Sequence, residues 1–392
     1  MKLLIFVFLL FSFEIFSQSL LDKLDSDNFE ERFEALEIIK NQQLIEYIPE
    51  LESRVFSQET YLLQYSFIEA LDALEAPNTY DLILTYYNNI NTFEPLPPYN
   101  SLESKLESKV RAMWLLFKFG DYSKSEDVFD YLNNEPNSKR YMIVINDLKF
   151  IYENVPAYQS QALDWILNIL NNILNEFTFR NTALVILNQI NYSETDALCV
   201  SILNDSNENP DLKYSALKIL YDRNYPELRT ILRNKVLNDP DNFIRFKAGS
   251  GLLQVYGVPS DLKLIIDYYP TEPDGDTKGL FQIVVADFVP PKPELNWSEL
   301  ITKLITYTNE MYSYQWIANT QSRDYYITKL NLLNSQITSG RYKDACNTLN
   351  KDLLVTIDKD LTTNKITTEG YKFLHYYCVY IKEEFPGPLP CL

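Results

Sequence analysis

The chain has little of what catalytic and nucleotide sites are built from. Glycine supplies 9 of 392 residues, against a usual share of about 7%, which argues against architectures turned by frequent glycines. One histidine, His375, is present, so catalysts needing two imidazoles and mixed Cys/His zinc sets are excluded. No CxxC, no GxGxxG and no GxxxxGK followed by Ser or Thr occurs, so the loops that cradle phosphates are missing. Beyond Phe16 no apolar run approaches the length of a membrane span, so none is expected in the mature chain. Cysteines number four.

What is present begins with an address. Met1 and Lys2 precede an apolar run from Leu3 to Phe16, interrupted by Glu14. It is shorter than the roughly 20 residues that cross a bilayer, and Ser17 and Ile15 suit positions −1 and −3 of a cleavage site. Residues 1–17 therefore read as a signal peptide, and the chain as exported to the periplasm, the cell surface or the medium. An exported chain can form disulfides. Cys346, Cys378 and Cys391 are the candidates: Cys391, in the Pro-rich tail, is expected to bridge to a helix bearing Cys346 or Cys378. Cys199, in an apolar stretch, reads as a buried free thiol.

The formal charge is −19, and its distribution is uneven. Residues 298–392 balance at ten basic and ten acidic, so the whole excess lies in 1–297. An acidic body repels phosphate, since binding it relies on Lys and Arg displacing counterions; nucleic acid is excluded as a partner. Basic proteins, neutral glycans and cations remain, and the charge also serves solubility alone.

Internal similarity recurs at a spacing of about 32 positions. A basic residue, Ala three later and an aliphatic four after that appear as Arg32-Ala35-Ile39, Arg180-Ala183-Leu187, Lys213-Ala216-Leu220 and Arg245-Ala248-Leu252. A degenerate copy is Gln64-Phe67-Leu71. Positions i+3 and i+7 share a helical face, and a small Ala lets a neighbouring helix approach. Turns rich in Asp, Ser and Asn precede three copies (25–32, 205–213, 239–245) and suit N-caps. Amphipathic segments such as 44–56 and 226–237 lie between. Each unit is thus a helical hairpin too small to bury its own apolar face, and stacking gives an α-solenoid.

The pattern resembles HEAT repeats, whose Asp-turn and Arg reappear as 239-DPDNFIRFKA-248. The resemblance implies that Asp239 with Arg245, and Asp25 or Asp27 with Arg32, tie repeats together and are structural. It spans 18–269, with 105–175 helical but off register. Residues 88–104 read as a long loop, and long loops are often functional. Residues 270–297 read as a Pro-rich linker in which 280–289, rich in β-branched residues, forms a short extended segment.

Residues 298–392 read as a C-terminal helical module, with helices near 298–312, 325–340, 341–360 and 367–384, a C-cap at Gly340 and an N-cap at Thr367 or Thr368. Lys329, Leu330, Gly340, Ala345, Leu349, Leu353, Ile366, Thr367 and Leu374 resemble a small module at the ends of exported bacterial proteins, sometimes called FIMAH-like.

The fold expected is all-α: a HEAT-like α-solenoid followed by a small helical bundle. Glu272, Asp274 and Asp276, and more weakly Asp358 and Asp360, offer carboxylates to calcium, but their spacing is not that of an EF-hand. His375, between Leu374 and Tyr376, reads as a packed or surface side chain. No catalytic, cofactor or metal residue is assigned. The expected function is a non-enzymatic scaffold with a protein partner. The alternative is a glycan-binding or polysaccharide-acting protein built as an (α/α) toroid, to which 29 Tyr and 22 Phe would lend sugar-stacking rings.

Overall fold

The structure, a computed structural model, describes residues 20–58, 60–90, 102–134 and 141–386. The signal-peptide residues, most of the loop at 88–104 and Cys391 lie outside them. By contact the chain separates into two compact units, up to Thr195 and from Asp196. Among the described residues no strand occurs, so the fold is all-α, with helices packed in series.

The first unit contains α1 (Phe29–Asn41), α2 (Ile48–Arg54), α3 (Tyr61–Ala73), α4 (Thr79–Asn89), α5 (Leu102–Lys118), α6 (Ser125–Asn134), α7 (Tyr141–Asn154), α8 (Gln159–Asn171) and α9 (Phe177–Gln189). Alternate members pack on one another, α1 on α3, α3 on α5, α5 on α7 and α7 on α9, while α4 and α8 bridge their neighbours. That is the pattern of stacked hairpins, and it extends through 105–175, where the sequence repeat is off register.

Local chemistry sets the helix ends. Asn28 caps α1 by accepting from the Glu30 N–H, with Glu30 and Glu31 in the first turn and Lys40 in the last, each complementing the helix dipole. Thr60 caps α3 at Leu63. Glycine is not needed to stop these helices. Gln43, Glu75 and Asn191 take φ between 53° and 55°. The residue after each donates its N–H back into the last turn, as in Leu44 to Ile39, Ala76 to Leu71 and Tyr192 to Leu187. This is a Schellman stop, whose left-handed residue is usually Gly; Asn224, Gln315 and Asn364 repeat it in the second unit.

In the second unit, α10 (Thr195–Asn204) leads into α11 (Pro210–Asp222), α12 (Leu228–Asn238), α13 (Asn242–Val255), α14 (Pro259–Tyr268) and α15 (Gly275–Asp287). Then come α16 (Trp297–Ser313), α17 (Thr320–Thr338), α18 (Tyr342–Asn347), a π-helical segment Thr348–Leu354, α19 (Val355–Thr362) and α20 (Thr368–Glu383). Packing runs α11 on α13 and α13 on α15, then α14 on α16 and α16 on α17 and α20. The change of composition at 298 does not coincide with the division by contact.

The extended segment expected within 280–289 is instead the second half of α15. Asp274 caps this helix at Thr277, and Phe281, fully buried, seats against Gly249 of α13, where a Cβ would stand 2.5 Å from its ring. That fit and the cap outweigh the β-branched content of Ile283, Val284 and Val285. Extended chain is confined to 288–296, and it is fastened: Pro290 O accepts from the Tyr380 hydroxyl at 2.6 Å, and Lys292 pairs with Glu383 and Glu384. The C-terminal helices fall close to expectation. Thr367 caps α20 through the Gly370 N–H, and Gly340 follows α17 with φ +72°.

One core group of the first unit is uncompensated. Asp147 on α7 is wholly buried, and neither carboxylate oxygen has a hydrogen-bond partner among the described residues. Burial pushes its carboxyl well above the ordinary value of 3.8. A raised folded pKa means stability is full below that ordinary value and is lost as pH rises towards the folded one. Asp147→Asn should match the parent at about pH 3.5 in denaturant titrations. Above that its advantage should grow by about 1.4 kcal/mol per pH unit until the parent's carboxyl ionises.

Candidate functional site

The repeat positions converge on the interior. Arg32, Arg180, Lys213 and Arg245 are all buried, as are Ala35, Ala183, Ala216 and Ala248 beside them. A buried cation must be paired, and the partners show what the repeat does. Arg32 Nη1 donates to Gln58 Oε1 at 3.0 Å. Lys213 Nζ lies 3.7 Å from Asp239 Oδ2, both side chains 1% exposed. Arg245 donates from Nε to Glu272 Oε2 at 2.9 Å and pairs through Nη2 with Oε1. Each of these partners sits in or beside the turn that leads to the next inner helix, 26 positions on for Arg32 and 27 for Arg245. The turn residue works in both directions. Asp239 shares its side chain between Lys213 and Lys235, the latter at 3.3 Å, and gives its backbone oxygen to Arg245 at 3.0 Å. Gln58 likewise gives its side chain to Arg32 and its backbone oxygen to Gln64 at 2.7 Å.

Two pairings implied by resemblance take a different form. Asp239 meets Arg245 through its backbone, and Glu272 supplies the carboxylate. Asp25 accepts from Arg54 Nε at 2.8 Å and Nη2 at 3.0 Å, which holds its carboxyl below the usual range. Arg180 Nε reaches Leu170 O at 2.7 Å.

Of the groups that carried candidate chemistry, Asp276 is exposed in the first turn of α15, and the other acids and the histidine are engaged in the fold. Glu272 accepts from Arg245 and from the Tyr268 hydroxyl, and Asp274 is a cap. Asp360 accepts from the buried Tyr326 hydroxyl at 2.7 Å. His375 stacks on Tyr371, whose hydroxyl lies 3.2 Å from both His375 Nδ1 and Asp358 Oδ1. Among the described residues no group of three or more His, Cys, Asp or Glu has a metal-holding arrangement. Cys199 and Cys378 are free and buried, and burial pushes both thiols up to about 12, which makes them inert. Cys346 is disulfide-bonded, so the alternative bridge through Cys378 is not formed.

A concavity of about 480 Å³ lies between α11 and α13. Tyr214, Leu217, Lys218 and Tyr221 share one face of α11 at i, i+3, i+4 and i+7, opposite Lys247, Gly251 and Gln254 of α13. Leu228 and Leu232 of α12, both buried, complete its floor. Lys247 lies 5.0 Å from the centre of the Tyr214 ring and 5.2 Å from that of Phe243, a cation–π pairing. No family model matches the chain, and no curated protein or solved structure does either. Function has to be read from the molecule's own geometry. Sequence reasoning missed this groove: its residues come from three separate helices and range from exposed to buried, and the only signal was the Tyr-Leu-Lys-Tyr stripe on α11.

The Arg245–Glu272 pair gives a measurable signature. Arg245, donating to Glu272, holds that carboxyl below the ordinary value of 4.5. A lowered folded pKa means the contribution is full above that ordinary value and lost as pH falls through the folded one. Glu272→Gln should cost about 3 kcal/mol near neutrality in denaturant titrations. The difference from the parent should close below about pH 4, opposite in direction to Asp147.

Proposed function

We propose that the chain is an exported, non-enzymatic binding protein: a HEAT-like solenoid, closed by a FIMAH-like module, that offers acidic surface to a protein partner. The observation that carries this reading is how charge is sorted. The repeat cations Arg32, Arg180, Lys213 and Arg245 turn inward, and apart from the buried Asp147, Asp239, Asp261, Glu272 and Asp360 the carboxylates of the described residues keep at least part of their surface in water. Around α1, Asp22, Asp27, Glu30, Glu31, Glu34, Glu37 and Glu46 are exposed. Residues 1–195 carry 29 acidic and 14 basic side chains, a balance of −15.

A surface of one sign steers and selects an oppositely charged partner, and helical repeats supply broad faces for recognition. The residues with candidate chemistry support the same reading, since Glu272, Asp274 and Asp360 are spent on holding helices.

The test is affinity capture from envelope and secreted fractions on immobilised 18–392, alongside a variant with Glu30, Glu31, Glu34 and Glu37 all changed to Gln. These are exposed positions whose ion pairs contribute about 0–1 kcal/mol each, so the fold should survive. The expected result is a stoichiometric protein partner whose binding falls at least tenfold in the variant and at high salt. Polysaccharide turnover that survives rigorous purification would overturn the reading.

A further inference from the structure

We infer that the groove between α11 and α13 is a docking site for an acidic peptide segment carrying one aliphatic or aromatic anchor side chain. The inference rests on the binding-protein reading and names a second contact for it, of opposite charge to the first.

Charge is the first argument. In a chain of −19, residues 210–255 hold eight basic and five acidic side chains, a local balance of +3. Two of those cations, Lys213 and Arg245, are buried in the repeat links. Lys218 and Lys247 line the groove, and neither has a carboxylate partner among the described residues. Lys247 is held instead over the rings of Tyr214 and Phe243, an arrangement that leaves it available to a carboxylate. Asp222 is the one acid on the lining.

Shape and chemistry of the floor are the second. Leu217, Leu228 and Leu232 are 6%, 2% and 4% exposed. Above them the rings of Tyr214 and Tyr221 are 39% and 44% exposed. An apolar floor ringed by aromatic and charged groups is the form of an anchor pocket in a protein interface. A floor of leucines suits an apolar side chain better than the hydroxyl-rich edge of a sugar, so a peptide is favoured over a glycan.

Gly251 is the third. Helix α13 carries two of the chain's 9 glycines. Gly249 is required by Phe281, against which a Cβ would stand 2.5 Å away. Gly251 has no such reason: the nearest atom to an added Cβ is Leu232 Cδ2 at 4.0 Å. A mid-helix glycine lowers helix stability relative to alanine. Here it keeps the groove open for close approach of a ligand backbone.

The experiment is selection from a random nine-residue peptide display library on the full chain, repeated on Lys218→Glu/Lys247→Glu, on the milder Lys218→Gln/Lys247→Gln, and on Gly251→Leu. The expected result is enrichment of peptides with an apolar residue flanked by Asp or Glu. A synthetic copy of the most enriched peptide should bind each variant at least tenfold more weakly, while none of the variants melts earlier than the parent. The Gly251 variant should melt at the same temperature or higher. Enrichment of basic peptides, peptide binding unchanged by the variants, or binding of an oligouronate with no peptide enriched would each overturn the site. If the groove fails while the acidic face of α1 still captures its partner, the binding-protein reading stands without this contact. Loss of both overturns that reading as well.

Discussion

Arg32, Lys213 and Arg245 each point inward near the start of an inner helix and find a partner in the turn that opens the next, while Arg180 reaches back to Leu170 O. A guanidinium or ammonium group out of water is tolerable only when paired and hydrogen-bonded, so this requirement fixes the spacing of everything else. The partner must lie at a set distance along the chain, as Gln58 does from Arg32 and Glu272 from Arg245. The short run from that turn to the next inner helix brings in the following cation and completes the repeat. The Ala three positions after each cation follows from the same demand, because the helices must close over the link. Where the copy is degenerate the logic persists in neutral form. Gln64 stands in for the cation, and Gln58 for the acid.

The chain carries 54 acidic against 35 basic residues, and because most of its carboxylates are not buried its surface is acidic. In the first unit that excess is large. In the second, the stretch from α11 to α13 carries more basic than acidic side chains. Lys218 and Lys247, without carboxylate partners among the described residues, meet exposed tyrosines there over a leucine floor. The proposed binding function draws on two kinds of surface, acidic around α1 and basic-aromatic between α11 and α13. Among the described residues the cysteines and the single histidine contribute packing, one disulfide and no convergent chemistry.

Much of the fold was legible because its rules are local. Cation, Ala and aliphatic at i, i+3 and i+7 point to one face, and the Asp and Asn residues before the helices are their caps. Gly340 and Thr367 end and begin the C-terminal helices as expected. What was not legible depends on distant partners. Ile283, Val284 and Val285 read as extended until Phe281 is seen to seat on Gly249. Glu272 read as part of an acidic loop until Arg245, far back in the chain, is seen to need a carboxylate. Scarce glycine argued against tight turns, yet Gln43, Glu75 and Asn191 take the left-handed position in its place. The groove was hidden for a similar reason. The stripe on α11 reads as one more helical face until α12 and α13 are seen around it, and Gly251 looked like any other glycine until its surroundings were seen to be open.

The central claim is that the inward cations couple successive hairpins. Hydrogen exchange on the parent and on Arg245→Met tests it directly. The account predicts that protection falls together in α13 and in the distant turn and helix that follow Glu272, while α17 to α20 keep theirs. Loss confined to the turns of α13 around Arg245 would show that the cation serves its own helix alone, and would contradict the account.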